Sequence, residues 1–327
     1  MSVPLIETRN LKKYFNTPQG PLHAVDNINL KIRSEQTLGV VGESGCGKST
    51  LGRTILRLLE ATDGEVLYRG NNILNYNAHQ MKEVRTNMQI IFQDPYASLN
   101  PRMTISEIIA EPIRVSKILT DRAAINNRVY ELMDTVGLAE RLINTYPHEL
   151  DGGRRQRVGV ARALAVEPEF IVADEPVSAL DVSIQAQILN LMMDLQDERG
   201  FSYLFITHDL SVVKHISDDI MVMYMGNCVE TAPTEELFAN PKHPYTQGLL
   251  DAILPPNLSS RDEEAKMLKG EVTSPISPKP GCRFAPRCPY VKDECLKGDV
   301  GLREVGKDHF VACTLYEEGS AETLKSS

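Results

Sequence analysis

The chain has 327 residues, 42% of them hydrophobic and 24% charged, which is the composition of an ordinary globular protein with room for a sizeable core. Its formal net charge of −9 argues against a nucleic-acid-binding protein, since such proteins usually carry a basic face. No stretch approaches about 18 consecutive apolar residues and residues 1–10 lack the pattern of a secretory signal, so we expect a cytosolic chain that reaches a membrane only through a partner.

The first predicted strands lead into a glycine-rich loop. Ile28, Leu30 and Ile32 alternate with polar residues, which favours a half-buried strand, and residues 38–41 predict a wholly apolar strand. Residues 42–50 then read Gly-Glu-Ser-Gly-Cys-Gly-Lys-Ser-Thr and match the pattern G-x-x-x-x-G-K-[ST] in full. A helix-compatible run over residues 51–59 follows, so strand, loop and helix stand in the order that a phosphate-binding loop requires.

This loop predicts a site for a nucleoside triphosphate with Mg²⁺. Its three glycines let the backbone approach phosphate oxygens, so that several N–H groups and a helix N-terminus face one anion. Lys48 can reach the β- and γ-phosphates, and the hydroxyl of Ser49 can bind Mg²⁺. The predicted ATP contacts of the loop are Gly42, Ser44, Gly45, Cys46, Gly47, Lys48, Ser49 and Thr50.

Helical and strand patterns alternate further along the chain. Residues 66–68 favour a short strand, and from Ile105 to Leu164 apolar residues recur at helical spacing, which indicates a helical subdomain over residues 95–165. Residues 170–173 and 201–207 are largely apolar, as in parallel strands that helices cover on both faces. A hairpin is predicted over residues 220–230, with its turn at Gly226 and Asn227.

An acidic pair, Asp174 and Glu175, follows one of the buried strands and supplies the second half of the nucleotide site. Asp174 has the position to hold Mg²⁺ through water, and Glu175 can polarise the attacking water. Residues 178–181 (Ser-Ala-Leu-Asp) and 207–209 (Thr-His-Asp) follow at distances that fit the same site.

With these motifs, residues 1–235 resemble the ATP-binding cassette family. Residues 92–101, which read Phe-Gln-Asp-Pro-Tyr-Ala-Ser-Leu-Asn-Pro, and residues 240–246, which read Asn-Pro-Lys-His-Pro-Tyr-Thr, are similar to the ATPase subunits of oligopeptide, dipeptide and nickel importers. The resemblance implies an α/β fold, a P-loop NTPase cassette with a RecA-like parallel-sheet core, an antiparallel β subdomain and a helical subdomain. We expect this cassette over residues 1–240, a proline-rich linker over 241–281 and a small cysteine-rich C-terminal module over 282–327.

The resemblance also implies roles for single residues. Phe15 falls where the family stacks an aromatic ring on adenine, with Tyr14 as the weaker candidate. Gln93 matches the glutamine that touches Mg²⁺ and the attacking water and links the site to the transmembrane partner, and His208 matches the histidine that contacts the γ-phosphate. Asp181 matches a residue that crosses to the opposite subunit. The expected catalytic residues are thus Glu175, His208 and Gln93, and the expected Mg²⁺ ligands are Ser49, Gln93 and Asp174.

One motif departs from the family. Where its members have Leu-Ser-Gly-Gly-Gln, this chain has Leu-Asp-Gly-Gly-Arg at residues 150–154. In the head-to-tail dimer of such ATPases this loop, here with Asp151, Gly152 and Gly153, caps the γ-phosphate of the ATP that the other subunit holds. A carboxylate there costs about 4 kcal/mol for one like-charge pair at ~4 Å and an effective dielectric of about 20, which Arg154 and Arg155 could offset. We therefore expect a heterodimer with one degenerate site, while in the competing interpretation both sites work.

Four cysteines, Cys282, Cys288, Cys295 and Cys313, cluster after the proline-rich segment. In a reducing cytosol such a cluster suggests a metal more than disulfides. The spacing matches neither the common zinc ribbon nor the bacterial ferredoxin run, so it leaves Zn²⁺, a [4Fe–4S] cluster and a metal-free or cross-linked tail open. Some relatives with a tail like residues 281–289 hold an iron–sulfur cluster there, and this resemblance favours a [4Fe–4S] cluster as a structural staple.

The resulting hypothesis is an ATP-hydrolysing subunit at the cytoplasmic face of the cell membrane. It would pair with a second ATPase subunit, drive two integral-membrane permease subunits and serve an extracytoplasmic solute-binding protein indirectly. Dipeptides or oligopeptides are the first candidate solutes, and nickel chelates or small saccharides come next. Two other classes stay open: a soluble cassette ATPase acting on DNA or ribosomes, which usually has paired cassettes or basic arms, and a scaffold without turnover, against which the Asp174-Glu175 pair argues.

Overall fold

Two β-sheets and two groups of helices form the fold, which the computed structural model describes over residues 3–252, 275–298 and 300–316. The strands are β1 (Ile6–Thr17), β2 (Gly20–Ile32), β3 (Thr37–Val41), β4 (Asp63–Tyr68), β5 (Asn71–Asn72), β6 (Met88–Ile91), β7 (Phe170–Asp174), β8 (Ser202–Ile206), β9 (Asp219–Tyr224), β10 (Asn227–Pro233), β11 (Arg303–Gly306) and β12 (His309–Val311). The helices are α1 (Lys48–Ile55), α2 (Ala78–Asn87), α3 (Pro95–Ser98), α4 (Ile105–Ser116), α5 (Arg122–Thr135), α6 (Gly152–Leu164), α7 (Val182–Arg199), α8 (Leu210–Ile216), α9 (Thr234–Ala239) and α10 (Pro244–Asp251).

The central sheet has its strands in the order β11-β12-β10-β9-β3-β8-β7-β6. Neighbouring strands from β9 to β6 run parallel, and the three strands beyond β9 are antiparallel. Successive residues of β7 alternate between two hydrophobic cores, with Phe170 and Val172 in one and Ile171 and Ala173 in the other. Both faces of the strand are therefore covered, which explains its apolar run and confirms the predicted parallel-sheet core.

A second, antiparallel sheet has the strand order β2-β1-β4-β5 and covers one face of the central sheet. It confirms the expected antiparallel β subdomain. The sequence pattern does not predict β1, although this strand is long. Three register shifts between Thr8 and Tyr14 break the alternation of side chains from one face to the other, and with it the period-two signal.

The predicted helical insert is present as α3 to α6 and packs on the other face of the central sheet. A capping box starts α4, in which the hydroxyl of Thr104 accepts the N–H of Glu107 and the Glu107 carboxylate accepts the N–H of Thr104. The apolar residues at helical spacing in α5 are all buried: Ile125, Val129, Leu132 and Met133. Within the described residues, no helix combines the length and the apolarity needed to cross a bilayer.

The predicted hairpin is β9–β10, but its turn lies one residue earlier than expected. Asn227 pairs with Tyr224, so the two turn residues are Met225 and Gly226. Their φ angles are 45° and 84°, as a two-residue hairpin turn of the type with two left-handed residues requires. Asn227 belongs to the strand because its backbone is needed for pairing.

Within the described C-terminal residues, 303–306 and 309–311 continue the central sheet. Strand β12 pairs with β10, and β11 pairs with β12. Behind this junction Nε2 of His309 lies 2.7 Å from Oε1 of Glu230, and both side chains are buried. The sequence predicts a separate cysteine-rich module, whereas its described part shares the sheet of the cassette.

The segment predicted as a linker also differs in the structure. Most of it, residues 253–274, lies outside the described residues. Residues 244–251 form α10, because the His243 side chain accepts the N–H of Tyr245 as a helix cap and Pro244 suits the first helical position. Tyr245 is fully buried, so this part of the segment belongs to the core.

His243 makes the stability of the fold dependent on pH. Burial lowers the pKa of its imidazole to about 4, whereas the unfolded chain binds the proton near pH 6.5. His243 therefore destabilises the fold increasingly as the pH falls through this window, by up to about 3 kcal/mol. We expect the free energy of unfolding in urea to decrease less between about pH 7 and pH 5 in His243→Asn than in the wild type, because Asn still caps α10. His79 is exposed, so His79→Asn is the matched control and should keep the wild-type dependence of the unfolding free energy on pH. The same dependence of the unfolding free energy on pH in all three proteins would contradict the prediction.

Candidate nucleotide-binding site

The phosphate-binding loop joins β3 to α1, and two of its glycines leave no room for a side chain. A Cβ at Gly42 would lie 2.1 Å from the carbonyl oxygen of Met223, and one at Gly47 would lie 1.9 Å from that of Ala24. Both glycines also have positive φ angles, 153° and 107°. The loop is thus pressed against neighbouring strands and leads into the first turn of α1, where the N–H groups have no intrahelical acceptor.

Lys48 is buried inside this loop. Its Nζ donates to the carbonyl oxygens of Gly42 at 2.7 Å and Glu43 at 3.1 Å. The Sγ atom of Cys46 lies 3.8 Å from Nζ, and burial raises the pKa of this thiol, so the thiol adds no negative charge at neutral pH. The loop therefore concentrates positive charge and N–H donors in one place, which suits the phosphates of ATP.

An oxygen pair lies next to the loop. Oγ of Ser49 donates to Oδ1 of the buried Asp174 at 2.6 Å. Hydroxyl and carboxylate oxygens are the donors that Mg²⁺ prefers, so the pair fits the expected metal. Arg53, which the sequence analysis missed, lies 3.2 Å from the other carboxylate oxygen. Arg53 follows Ser49 by four residues on α1, so the two side chains share one face of the helix, and this spacing could have predicted that Arg53 lies at the site.

The three residues expected to be catalytic meet at one carboxylate. Nε2 of Gln93 donates to Oε2 of Glu175 at 2.8 Å, and Nδ1 of His208 lies 3.4 Å from the same oxygen. Glu175 has a left-handed backbone, with φ at 47°. This conformation costs on the order of 1–3 kcal/mol in a residue other than glycine and is typical of functional sites.

Two aromatic side chains are the candidates for the contact with adenine. Tyr14 and Phe15 are consecutive in β1 and point to opposite faces of the strand. The ring of Tyr14 stacks on His23 at 3.8 Å between centroids, and its hydroxyl donates to Asp26 at 2.5 Å. The half-buried ring of Phe15 has Lys13 Nζ at 4.8 Å from its centroid. Since internal contacts occupy Tyr14, Phe15 is the better platform for a base.

Asp151, in the loop that departs from the family, is the N-cap of α6. Its Oδ1 accepts the N–H of Arg154 at 2.8 Å, and Nε of Arg154 lies 3.4 Å from Oδ2. The carboxylate is still 61% exposed. Arg155 does not offset this charge, contrary to the expectation, because its buried guanidinium donates to the carbonyl oxygen of Pro147 at 2.6 Å and lies 3.7 Å over the ring of Tyr96.

The remaining residues expected at the dimer interface lie near this cap. Gly152 and Gly153 form the first turn of α6, and a Cβ at Gly153 would lie 2.7 Å from Cγ2 of Ile184 in α7. Asp181 precedes α7, is exposed and makes no capping hydrogen bond. In the described part of the chain, no hydrogen bond joins Asp151 or Asp181 to the phosphate-binding loop.

The four C-terminal cysteines line one cavity. Burial raises the pKa of three of these thiols, those of Cys282, Cys288 and Cys313, the last to about 11. The cavity volume is about 10 Å³, room for about one water molecule. Among the described residues, no group of three or more His, Cys, Asp or Glu side chains is placed to hold a metal ion. The geometry therefore gives no support to the expected [4Fe–4S] cluster, although four thiols are the right ligand type.

Comparisons with known proteins show the family of the chain. A family model described as "ABC transporter" matches residues 25–178, and one described as "Oligopeptide/dipeptide transporter, C-terminal region" matches residues 229–295. The oligopeptide transport ATP-binding protein OppF of Bacillus subtilis (strain 168) is 51% identical over 316 residues, which cover 96% of this chain and 97% of that protein. OppF of Salmonella typhimurium is 52% identical over 303 residues, which cover 92% of this chain and 90% of that protein.

A solved structure confirms the fold. The dimeric ATP-binding cassette MJ0796, in a post-hydrolysis state with ADP and Pi, has a TM-score of 0.64 at 28% identity and covers 70% of this chain and 98% of its own. The phosphate-binding loop and Asp174-Glu175 both fall inside the first matched family segment. At this identity and coverage the chain belongs to the ATP-binding cassette transporter family and is a transport ATPase of the oligopeptide/dipeptide transporter group.

Proposed function

We propose that this ATPase powers the import of oligopeptides through integral-membrane permease partners. The observation that carries the proposal is the carboxylate of Glu175, which Gln93 and His208 contact beside the Ser49–Asp174 pair. The solute comes from the names of relatives that match nearly the whole chain. The subunit would lie at the cytoplasmic face of the membrane, and a solute-binding protein outside would act on it only indirectly. Dipeptides, nickel chelates or another solute are the alternatives.

Each residue has a task in the hydrolysis of ATP to ADP and phosphate. Lys48 and the loop amides bind the β- and γ-phosphates and stabilise the charge that develops on them. Ser49, Asp174 and Gln93 would hold Mg²⁺, which would supply positive charge against the phosphates. Glu175 accepts a hydrogen bond from the attacking water and orients or deprotonates it, and His208 donates to the γ-phosphate.

The active unit in this proposal is a head-to-tail heterodimer with unequal sites. MJ0796 was solved as a dimer with ADP and Pi. In such a dimer, residues 150–154 would face the nucleotide of the other subunit, so the exposed carboxylate of Asp151 would oppose a polyanion. Arg154 offsets only part of this charge, because exposed ion pairs are weak. The ATP on this chain, capped by the partner, would then turn over, while the ATP on the partner would not.

Glu175→Gln, introduced into this chain only, tests the inequality in the reconstituted importer. We expect phosphate release to fall by more than about 100-fold, because loss of a general base costs on the order of 10²–10⁴ in rate and the other site contributes little. The matched control is the same exchange of the equivalent glutamate in the partner ATPase, which should leave most of the activity. Retention of about half the turnover in both variants would mean that the two sites are equivalent.

Asp151→Ser restores the neutral cap that the family has. Since Ser also caps helices, we expect the free energy of unfolding to change by no more than about 0.5 kcal/mol. Turnover of the heterodimer should rise by about twofold or more, as the second site begins to work. Asp151→Ala removes both the charge and the cap, so it should raise turnover and also cost about 1 kcal/mol of stability. Unchanged turnover in both variants would show that the charge of Asp151 is not limiting.

We further propose that the four-cysteine cavity accepts a [4Fe–4S] cluster as a structural staple. The proposal rests on ligand type alone, because thiolates are the ligands of such clusters and four cysteines line this cavity. The segment would have to open, since the cavity of about 10 Å³ has room for about one water molecule. Bound Zn²⁺ and a metal-free tail are the alternatives.

Metal content decides between these alternatives. We expect about four irons and four acid-labile sulfides per chain in anaerobically purified protein, with broad absorption near roughly 400 nm. Cys282→Ser should lower the iron content, whereas Cys228→Ser, a buried cysteine in β10, should leave it unchanged. One zinc per chain, or no metal, would reject the cluster.

A further inference from the structure

The C-terminal segment 282–288 carries two arginines that are buried against the cassette. The side chains of Arg283 and Arg287 are 8% and 5% exposed. A guanidinium stays charged at physiological pH, so it is stable in such surroundings only when it is paired. Arg283 pairs with Asp26, and Arg287 pairs with Glu43. The second pair reaches directly into the phosphate-binding loop.

Glu43 is the second residue of that loop, and three of its groups are fixed. Nη1 and Nη2 of Arg287 lie 2.8 and 3.0 Å from its two carboxylate oxygens, in a bidentate pair. Its N–H donates to the hydroxyl oxygen of Tyr245 at 2.9 Å, and its carbonyl oxygen accepts from Lys48 at 3.1 Å. Arg287 and Tyr245 thus hold the loop from outside the segment that forms it.

Aromatic rings cover the guanidinium of Arg287, whereas the Glu43 side chain is 25% exposed. Tyr224, Tyr245 and Phe284 are in mutual contact, with ring centroids 4.8 to 5.4 Å apart. The guanidinium of Arg287 lies within 5.9 Å of the rings of Tyr224 and Phe284. Hydrogen bonding to Glu43 raises the pKa of Arg287. An ion pair in such surroundings has a definite geometry and is stronger than one in water.

The mechanism of hydrolysis does not use a carboxylate at this position. Glu43 places a negative charge in a loop whose ligand is a polyanion, and an unpaired charge there would oppose phosphate binding. The side chain that cancels this charge comes from a position 244 residues later. We propose that Arg287 is a positioning residue for ATP binding, which acts through Glu43 by neutralising its charge in the loop that receives the phosphates. This role depends neither on unequal sites nor on a cluster.

A purely structural role is the competing explanation, since Arg287 also fastens the C-terminal segment. The two roles predict different ATP affinities for a protein in which both Arg287 and the charge of Glu43 have been removed. If Arg287 acts through the charge of Glu43, removal of that charge in an Arg287 variant restores ATP affinity, although the ion pair between the two residues is still absent. If Arg287 only anchors the C-terminal segment to the cassette, Glu43→Gln does not restore ATP affinity, because the segment is still not anchored.

The test measures equilibrium binding of MgATP to the full chain by calorimetry, together with the urea midpoint of each variant. We expect Arg287→Gln to weaken binding about tenfold, or ~1.4 kcal/mol. Arg287→Lys keeps the cation and should stay within about threefold of the wild type. The double variant Arg287→Gln/Glu43→Gln should return to within about threefold of the wild type, which is a non-additive result.

A matched control separates loss of stability from loss of binding. Arg128 in α5 is 13% exposed and pairs with Glu131 at 2.7 Å and Glu167 at 2.8 Å, but it belongs to the helical subdomain. Arg128→Gln should lower the urea midpoint and leave the Kd for MgATP unchanged. Wild-type affinity in Arg287→Gln, or a tenfold loss that Glu43→Gln does not relieve, would overturn the proposal.

A second pair of variants applies if Arg287→Gln does not fold. Glu43→Asp keeps the charge of the loop but shortens the side chain, so it breaks the bidentate pair, whereas Glu43→Gln removes the charge. We expect Glu43→Asp to bind MgATP at least about threefold more weakly than Glu43→Gln, and added salt should narrow this difference by screening. Equal affinities, or the opposite order, would reject the role of Arg287.

Discussion

The parallel pairing of β3, β8, β7 and β6 is the constraint on which the nucleotide site depends. Parallel strands end at the same edge of a sheet, so the residues that follow them meet although they are distant in sequence. Gln93 follows β6, Glu175 follows β7, His208 follows β8 and the phosphate-binding loop follows β3. A slip of one residue in any pair would move the group at its end by about 3.3 Å, which is longer than the hydrogen bond from Gln93 to Glu175. The two hydrophobic cores prevent such a slip because it would exchange the faces of the strand.

Asp174 and Asp151 each have an arginine partner, but burial gives the two pairs different consequences. Asp174 is buried and Arg53 helps to fix its orientation towards Ser49. Asp151 is exposed, so its ion pair with Arg154 adds little to the stability of the chain. The charge that Arg154 does not cancel acts on the molecule that residues 150–154 face. The same residue type therefore organises the chain's own site in one place and affects only a neighbouring site in another.

Short motifs at strand ends made most of the ATP site predictable. Ser49 and Asp174, or Gln93 and Glu175, could be expected to meet because each lies in a recognisable pattern after an apolar run. Contacts between side chains that share no local pattern could not be predicted in this way. The contact between Arg287 and Glu43 spans 244 residues. The guanidinium of Arg155 packs on the ring of Tyr96, a contact that no sequence spacing indicates. Strand β1 was missed because its register shifts remove the period-two signal, and the hairpin turn moved by one residue because backbone conformation decides its position. The clustering of the cysteines in the sequence predicted one module, and the structure shows the four thiols around one cavity, but the spacing did not choose between a metal and none.

The pairing of β12 with β10 has a consequence for any shortened form of this protein. Without residues 300–316, β10 would become the edge of the central sheet and present unpaired backbone N–H and C=O groups over a buried core. The buried Glu230 would at the same time lose its contact with His309 and keep only the hydrogen bonds from the N–H groups of Lys242 and His243. Exposed edges of this kind join other chains edge to edge, so a cassette cut free of its C-terminal hairpin would tend to aggregate. The hairpin therefore protects solubility as well as completing the sheet.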